Sequence, residues 1–229
     1  PRALEHGSGE GGRPMRADDT TLPLLHGHRI PRIGVGTWPL TGDECATMVE
    51  KAVGYGYRLF DTAYKYANEE AVGAGLRASG IPRDEVFITS KFNKEDHSVE
   101  GVQRAYDRSL KTLRVDYLDL YLIHFPIAQK FVPFDVRYPP EWITDPSAES
   151  PCIELADVPT SETWRAMESL VDAGLVKNIG VCNVGVTALL DLLTYARIPP
   201  AVLQVEIHPF LVHEKLVRFC AERGIAVTG

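Results

Sequence analysis

Long apolar runs, basic clusters and paired cysteines are all missing from this chain of 229 residues, and each absence removes a class of function. No apolar stretch reaches the roughly 18 residues needed to span a bilayer, so no membrane-crossing helix is expected. Lysine and arginine never cluster, and the net charge is -7 with a pI near 5.5. Phosphate binding along a nucleic acid needs the opposite balance, so neither nucleic acid nor an acidic membrane is an expected partner. The four cysteines, Cys45, Cys152, Cys182 and Cys220, lie far apart with no C-x-x-C pair. That pattern suits free thiols in a reducing compartment, and the expected location is cytoplasmic.

Other signatures are missing too. The seven histidines include no H-E-x-x-H, and the close pair His26 and His28 sits in the turn-like string LLHGHR, so no metal is expected. The dinucleotide fingerprint fails in both places where it begins. Gly34-x-Gly36 has Pro39 where the third glycine belongs, and the G-x-G-x-x-A string at 73–78 follows helix-like EEAV rather than a strand. The Gly-rich opening residues lack the apolar centre of a secretion signal. Residues 1–19 are therefore read as a flexible extension, with Met15 as the expected start, and residues 20–229 as the folded domain.

What the chain does have is rhythm. With 45% hydrophobic and 24% charged residues it can bury one sizeable core. From residue 33 onward, short apolar runs alternate with helix-like segments, as parallel βα units require. The candidate strands are IGVGT (33–37), RLF (58–60), VFITS (86–90), LDLYLI (118–123), NIGV (178–181), LQVEI (203–207) and IAVT (225–228). Between them, Asn68 followed by Glu69 and Glu70 reads as a helix cap. Val99, Val102, Tyr106, Leu110 and Leu113 form one apolar stripe, and 163–175 and 186–195 carry weaker helical patterns. TLPLLHGHRIPRI predicts a small hairpin turning at His26-Gly27-His28. The regular spacing predicts an α/β fold of the (β/α)8 TIM-barrel type, with that N-terminal hairpin. Residues 125–160 break the rhythm, holding seven of the 16 prolines, and predict a long loop at a strand's carboxyl end, where barrel sites are built.

Polar residues recur at those strand ends. Asp61 follows RLF, Lys91 follows VFITS, His124 follows LDLYLI, Asn183 follows NIGVC, and Gln204 lies in LQVEI. In a parallel barrel they share one face. A tyrosine is a useful acid near neutral pH only if its pKa, about 10 unperturbed, is pulled down. Lys91, held protonated by Asp61, supplies the charge to do so; Tyr66 then delivers a proton to an oxygen that His124 positions.

Six strings in order, GVGTW (34–38), YRLFDTA (57–63) with Tyr66 following, FITSK (87–91), YLIHFP (121–126), GVCN (180–183) and LQVEIHP (203–209), resemble the aldo-keto reductase superfamily from about residue 20 to the last residue. The resemblance implies catalytic roles for Asp61, Tyr66, Lys91 and His124. It implies a nicotinamide cofactor, NADPH or less often NADH, at Thr37, Trp38, Cys182, Asn183 and Gln204. Trp38 and Phe125 would wall a pocket for a small carbonyl substrate, with no metal, in a monomer or weak dimer. FVPFDVRYPPEW is similar to the sugar-reducing branch, which includes xylose and aldose reductases. Lys65, next to the donor, is a candidate for an anionic or phosphorylated sugar, or else a solvated surface lysine. Tyr64, Glu206 and His208 are read as structural.

Two positions depart from the family pattern. Cys182 stands where serine is usual, and a thiol is a poorer donor to the carboxamide. The sequence ends at GIAVTG, so the fold is expected to be truncated after the seventh strand, with an open seam where the eighth unit would close the barrel. Two other readings remain at this point: a nucleotide-binding barrel module or fragment without turnover, and a phosphate-binding barrel isomerase.

Overall fold

The computed structural model describes residues 20–229 apart from 134, 138 and 140; the extension read over 1–19 lies outside them. Two short strands, β1 (Thr21–Pro23) and β2 (Arg29–Pro31), pair antiparallel as the predicted hairpin. His26 and Gly27 make its turn at φ of 72° and 85°. Seven parallel strands follow: β3 (Val35–Gly36), β4 (Leu59–Asp61), β5 (Phe87–Phe92), β6 (Leu120–Ile123), β7 (Ile179–Cys182), β8 (Val202–Gln204) and β9 (Ala226–Thr228). Each pairs with its sequence neighbour. The connecting helices are α1 (Gly42–Gly54), α2 (Glu69–Ala78), α3 (Val99–Leu113), α4 (Thr160–Asp172), α5 (Val186–Tyr195) and α6 (Glu214–Ala221).

The sheet curls because alternate strand residues pack in opposite directions. Phe60, Ile88, Tyr121, Ile123 and Leu203 join the large cluster with the helices. Leu59, Phe87, Leu120, Leu122 and Val202 turn inward and meet Leu24 and Ile30 of the hairpin. Both faces of β4 to β8 are thus largely buried, as in barrels covered by helices, whereas the edge strands β3 and β9 are partly exposed. The hairpin closes the end opposite the site, where His28 Nδ1 lies 3.1 Å from Asn178 Oδ1 just before β7. The strand order runs without interruption from β3 to β9, and among the described residues each of those two has a single neighbour. The expected seam is present.

Two sequence readings need correction, and a third observation accounts for the glycines at 73–78. Asn68 occupies the N-cap position of α2 but makes no cap bond. Its buried amide instead accepts from Thr62 Oγ1 at 2.7 Å and donates to Thr37 O and Leu40 O at 3.0 and 2.8 Å. Glu69 is likewise buried, accepting from Ser90 Oγ at 2.6 Å. In α3 the buried stripe runs through Val102, Ala105, Tyr106, Ser109 and Leu113, leaving Val99 exposed; Ser98 Oγ caps the helix through Gly101 N. The glycines of the 73–78 string serve helix packing. A Cβ on Gly73 would collide with Leu113 O and one on Gly75 with Ala46 O.

Among the described residues, 125–159 contain no helix or strand beyond one isolated bridge between Gln129 and Leu155, yet the segment is pinned. Lys94, Glu95, Asp96 and His97, just past β5, are all buried. Lys94 Nζ donates to Glu141 O at 3.1 Å, Glu95 pairs with Arg137 at 2.9 Å, and His97 Nε2 donates to Phe125 O at 3.0 Å. Gln129 spans the same region, donating from its backbone to Lys94 O and from its side chain to Trp142 O. Buried polar groups persist only where partnered, and these partners fix the path of the loop.

Candidate active site

Strand register brings the polar ends together. Asp61 closes β4, Lys91 lies near the end of β5, His124 follows β6, and Cys182 and Gln204, which are register partners, close β7 and β8. Lys91 is fully buried; its Nζ meets Asp61 Oδ1 at 2.5 Å, Thr62 O at 3.0 Å and Tyr66 OH at 3.4 Å. Tyr66 rides on a tight turn, residues 64–66, that ends at Ala67 with φ of 54°. Its ring meets that of His124 edge-on, with centroids 5.6 Å apart. Gln204 Nε2 donates to the second Asp61 oxygen at 2.9 Å. The anchoring of Asn68 to Thr62, Thr37 and Leu40 holds this turn from behind, a role sequence reasoning missed because Asn-Glu-Glu looks like a cap.

Burial and charge pull against each other here. Burial disfavours the Lys91 ammonium, but Asp61, with help from Tyr66 and Cys182, outweighs it and raises the lysine's pKa. Burial raises the Tyr66 pKa and Lys91 lowers it; the net direction is upward. This corrects the expected downward pull: Lys91 acts in the expected sense, but desolvation of the phenolate is larger. Burial, then the charges of Lys91, Lys65 and Lys94, bring His124 down to about 3, so its imidazole is neutral at pH 7. Cys182 is pushed up to about 12 by burial and stays a thiol.

A cleft of about 470 Å³ runs from the hairpin, at Leu22 and Ile30, along β9 to Asp61, Tyr66, His124, Cys182, Asn183 and Gln204 at the strand ends. Asn183 adopts φ of 58°, a left-handed conformation asparagine tolerates, and ties Nδ2 to His124 O at 2.9 Å. Its Oδ1 and the second Gln204 N–H have no partner among the described residues, so the two amides offer an acceptor and a donor that fit a carboxamide. Cys182 Sγ lies 3.8 Å from Gln204 Oε1. Thr37 is fully buried and donates to Asp61 O at 3.0 Å, so it reaches the cleft only through Asp61. Trp38 is 69% exposed and precedes a cis bond to Pro39; it is not among the residues that line the cleft. Phe125 stacks on His124 at 4.9 Å and meets Trp142 edge-on at 4.8 Å. Lys65 Nζ lies 5.7 Å from the Trp142 ring. No periodic signal pointed to Trp142 or His97.

The model of the Aldo/keto reductase family matches residues 32–229. The chain belongs to that family. Within it, the chain is 44% identical over 212 residues to the NAD(P)H-dependent D-xylose reductase of Scheffersomyces stipitis, covering 91% of this chain and 66% of that one. It is 48% identical over 210 residues to the enzyme of the same name from Pachysolen tannophilus, covering 90% and 64%. The solved aldose reductase of Schistosoma japonicum superposes with a TM-score of 0.83 at 38% identity, covering 91% of this chain and 68% of that structure. A Bombyx mori aldo-keto reductase in complex with NADP gives 0.78 at 35% identity, covering 91% and 65%. This aldo/keto reductase chain thus spans about two thirds of the length of the curated relatives it matches.

Proposed function

We propose that this chain reduces the carbonyl of an aldehyde or ketone, of the open-chain sugar class, to an alcohol with NADPH or NADH. One observation carries the reading: Tyr66 OH, the Lys91–Asp61 ion pair and the neutral His124 ring meet at one cleft beside two amides with unclaimed hydrogen-bonding capacity. The relatives' names, NAD(P)H-dependent D-xylose reductases, support the substrate class and the cofactor.

When bound, the nicotinamide supplies the hydride. Asn183, Gln204 and, more weakly, Cys182 hold its carboxamide. Tyr66 is the proton donor. Burial keeps its hydroxyl protonated, and the Lys91 ammonium stabilises the phenolate left after transfer. Asp61 keeps Lys91 charged and aimed. Neutral His124 orients the carbonyl oxygen by hydrogen bonding without competing as a proton source. Trp38 and Phe125 wall the substrate side.

The test is consumption of NADPH or NADH against a panel of aldehydes and aldoses, with Tyr66→Phe in parallel. Turnover is expected to fall by about 10²–10⁴-fold in the variant while nucleotide binding persists. Equal turnover would remove Tyr66 from the role, and no turnover of any carbonyl would remove the reading.

A further inference from the structure

Two lysines close to the His124 side of the cleft have no ion-pair partner among the described residues. Lys94 Nζ lies 4.2 Å and Lys65 Nζ 5.7 Å from the centre of the same Trp142 ring. Asp61, Glu95 and Asp96 are paired with Lys91, Arg137 and Arg104, and the charges of Glu95 and Glu141 act on Lys94 without an ion pair to it. Lys94 has only a carbonyl, Glu141 O, and Lys65 makes no hydrogen bond or ion pair among the described residues. Two ammoniums without an ion pair flank one indole on a chain whose net charge is -7. Their fields reach inward, since both act against protonation of His124; burial first, then Lys65, lowers Lys94 to about 8 against the opposing charges of Glu95 and Glu141.

We propose that Lys65 and Lys94, with the Trp142 indole as a wall, form a subsite for a phosphate ester at the far end of the carbonyl substrate. The inference rests on the reaction proposed above and narrows its substrate class to sugar phosphates. Lys65 is half-buried and meets the phosphate directly. Lys94, fully buried, contributes its charge from beneath the surface. A phosphate monoester carries nearly two negative charges at neutral pH, matching the two cations. The reach also fits. Ring-to-ring steps of 4.9 Å from His124 to Phe125 and 4.8 Å from Phe125 to Trp142 put the indole within about 10 Å of the reacting oxygen's imidazole, a span that an extended sugar chain bridges.

Two measurements decide it. The first is the ratio of kcat/KM for an aldopentose 5-phosphate to that for the same aldopentose, compared between wild type and variants so that differences in ring opening cancel. Lys65→Gln should lower the ratio about tenfold and Lys65→Glu further; added salt should lower it in wild type. A ratio that Lys65→Glu leaves unmoved overturns the subsite. The second is calorimetric binding of a hexitol phosphate, which has no carbonyl to reduce, with NADP present. Binding that weakens in Lys65→Glu supports the subsite even if no carbonyl is turned over, an outcome that would sink the proposed reaction alone. Equal binding in both proteins overturns the subsite whatever the activity. Lys94→Gln, which also loosens the loop, should lower the ratio by less than Lys65→Glu.

Discussion

Gln204 Nε2 donates to Asp61 Oδ2 at 2.9 Å while Asp61 Oδ1 holds Lys91. The carboxylate that orients the lysine is therefore itself oriented, and the residue expected only to meet cofactor has a second task. Gln204→Glu would set two carboxyl groups at hydrogen-bond distance, where both cannot stay ionised. The pH profile of kcat should gain a new ionisation between about pH 5 and 7, with a lower plateau. A profile superposing on the wild type would show that the Asp61–Gln204 contact is idle.

Lys91→Met removes the one charge that lowers the Tyr66 pKa. In the carbonyl-reducing direction, where Tyr66 must be protonated to donate, the basic limb of the pH profile should move upward. Turnover should fall on the order of 100-fold. Leaving Asp61 without its buried partner should also cost about 3 kcal/mol of stability, read by urea unfolding. An unmoved basic limb would uncouple the two residues.

Asn68→Ala removes the acceptor of Thr62 Oγ1 and the side-chain donor to Leu40 O, together with one of two donors to Thr37 O, which keeps Leu40 N. Each is buried or nearly so, and the loss should be about 2–4 kcal/mol. If Asn68 were only a helix cap, as its sequence context suggests, the cost would stay near 1 kcal/mol. Denaturant midpoints of the two proteins separate these cases.

His97 is depressed to about 4, chiefly by burial, so the unfolded chain, with histidine near 6.5, binds its proton first as pH falls. Its contribution is intact above about pH 6.5, shrinks on the way down and is fully lost below about 4, a change on the order of a few kcal/mol. His124 shifts in the same sense, whereas Glu69 and Asp96, both raised, shift oppositely. The difference between wild type and His97→Gln isolates one imidazole. Urea midpoints of the variant should vary less across that window, and parallel curves for the two proteins would contradict the assignment.

The strands were readable because barrel strands bury both faces, so LDLYLI and VFITS stand out as apolar runs, and their polar ends mark the site. The pinned loop was not readable. Its anchors are charged residues, which sequence reasoning assigns to solvent, and each finds its partner dozens of positions away, as Glu95 does in Arg137. Asn68 misled for a related reason: one side chain suits a cap and a long-range bridge equally well, and only tertiary packing decides. The sign of the Tyr66 shift was missed because burial of a phenol does not show in a local string, whereas its lysine neighbour does.

The buried segment at 94–97 also sets how the substrate wall behaves under load. Swinging residues 125–142 outward would strand an ammonium, a carboxylate and an imidazole inside the protein, a penalty of several kcal/mol. Phe125 and Trp142 thus move with the strands rather than as a flap. On the function proposed above, a ligand too bulky for these two rings is excluded, and selectivity resides in a fixed aperture braced by residues 94–97.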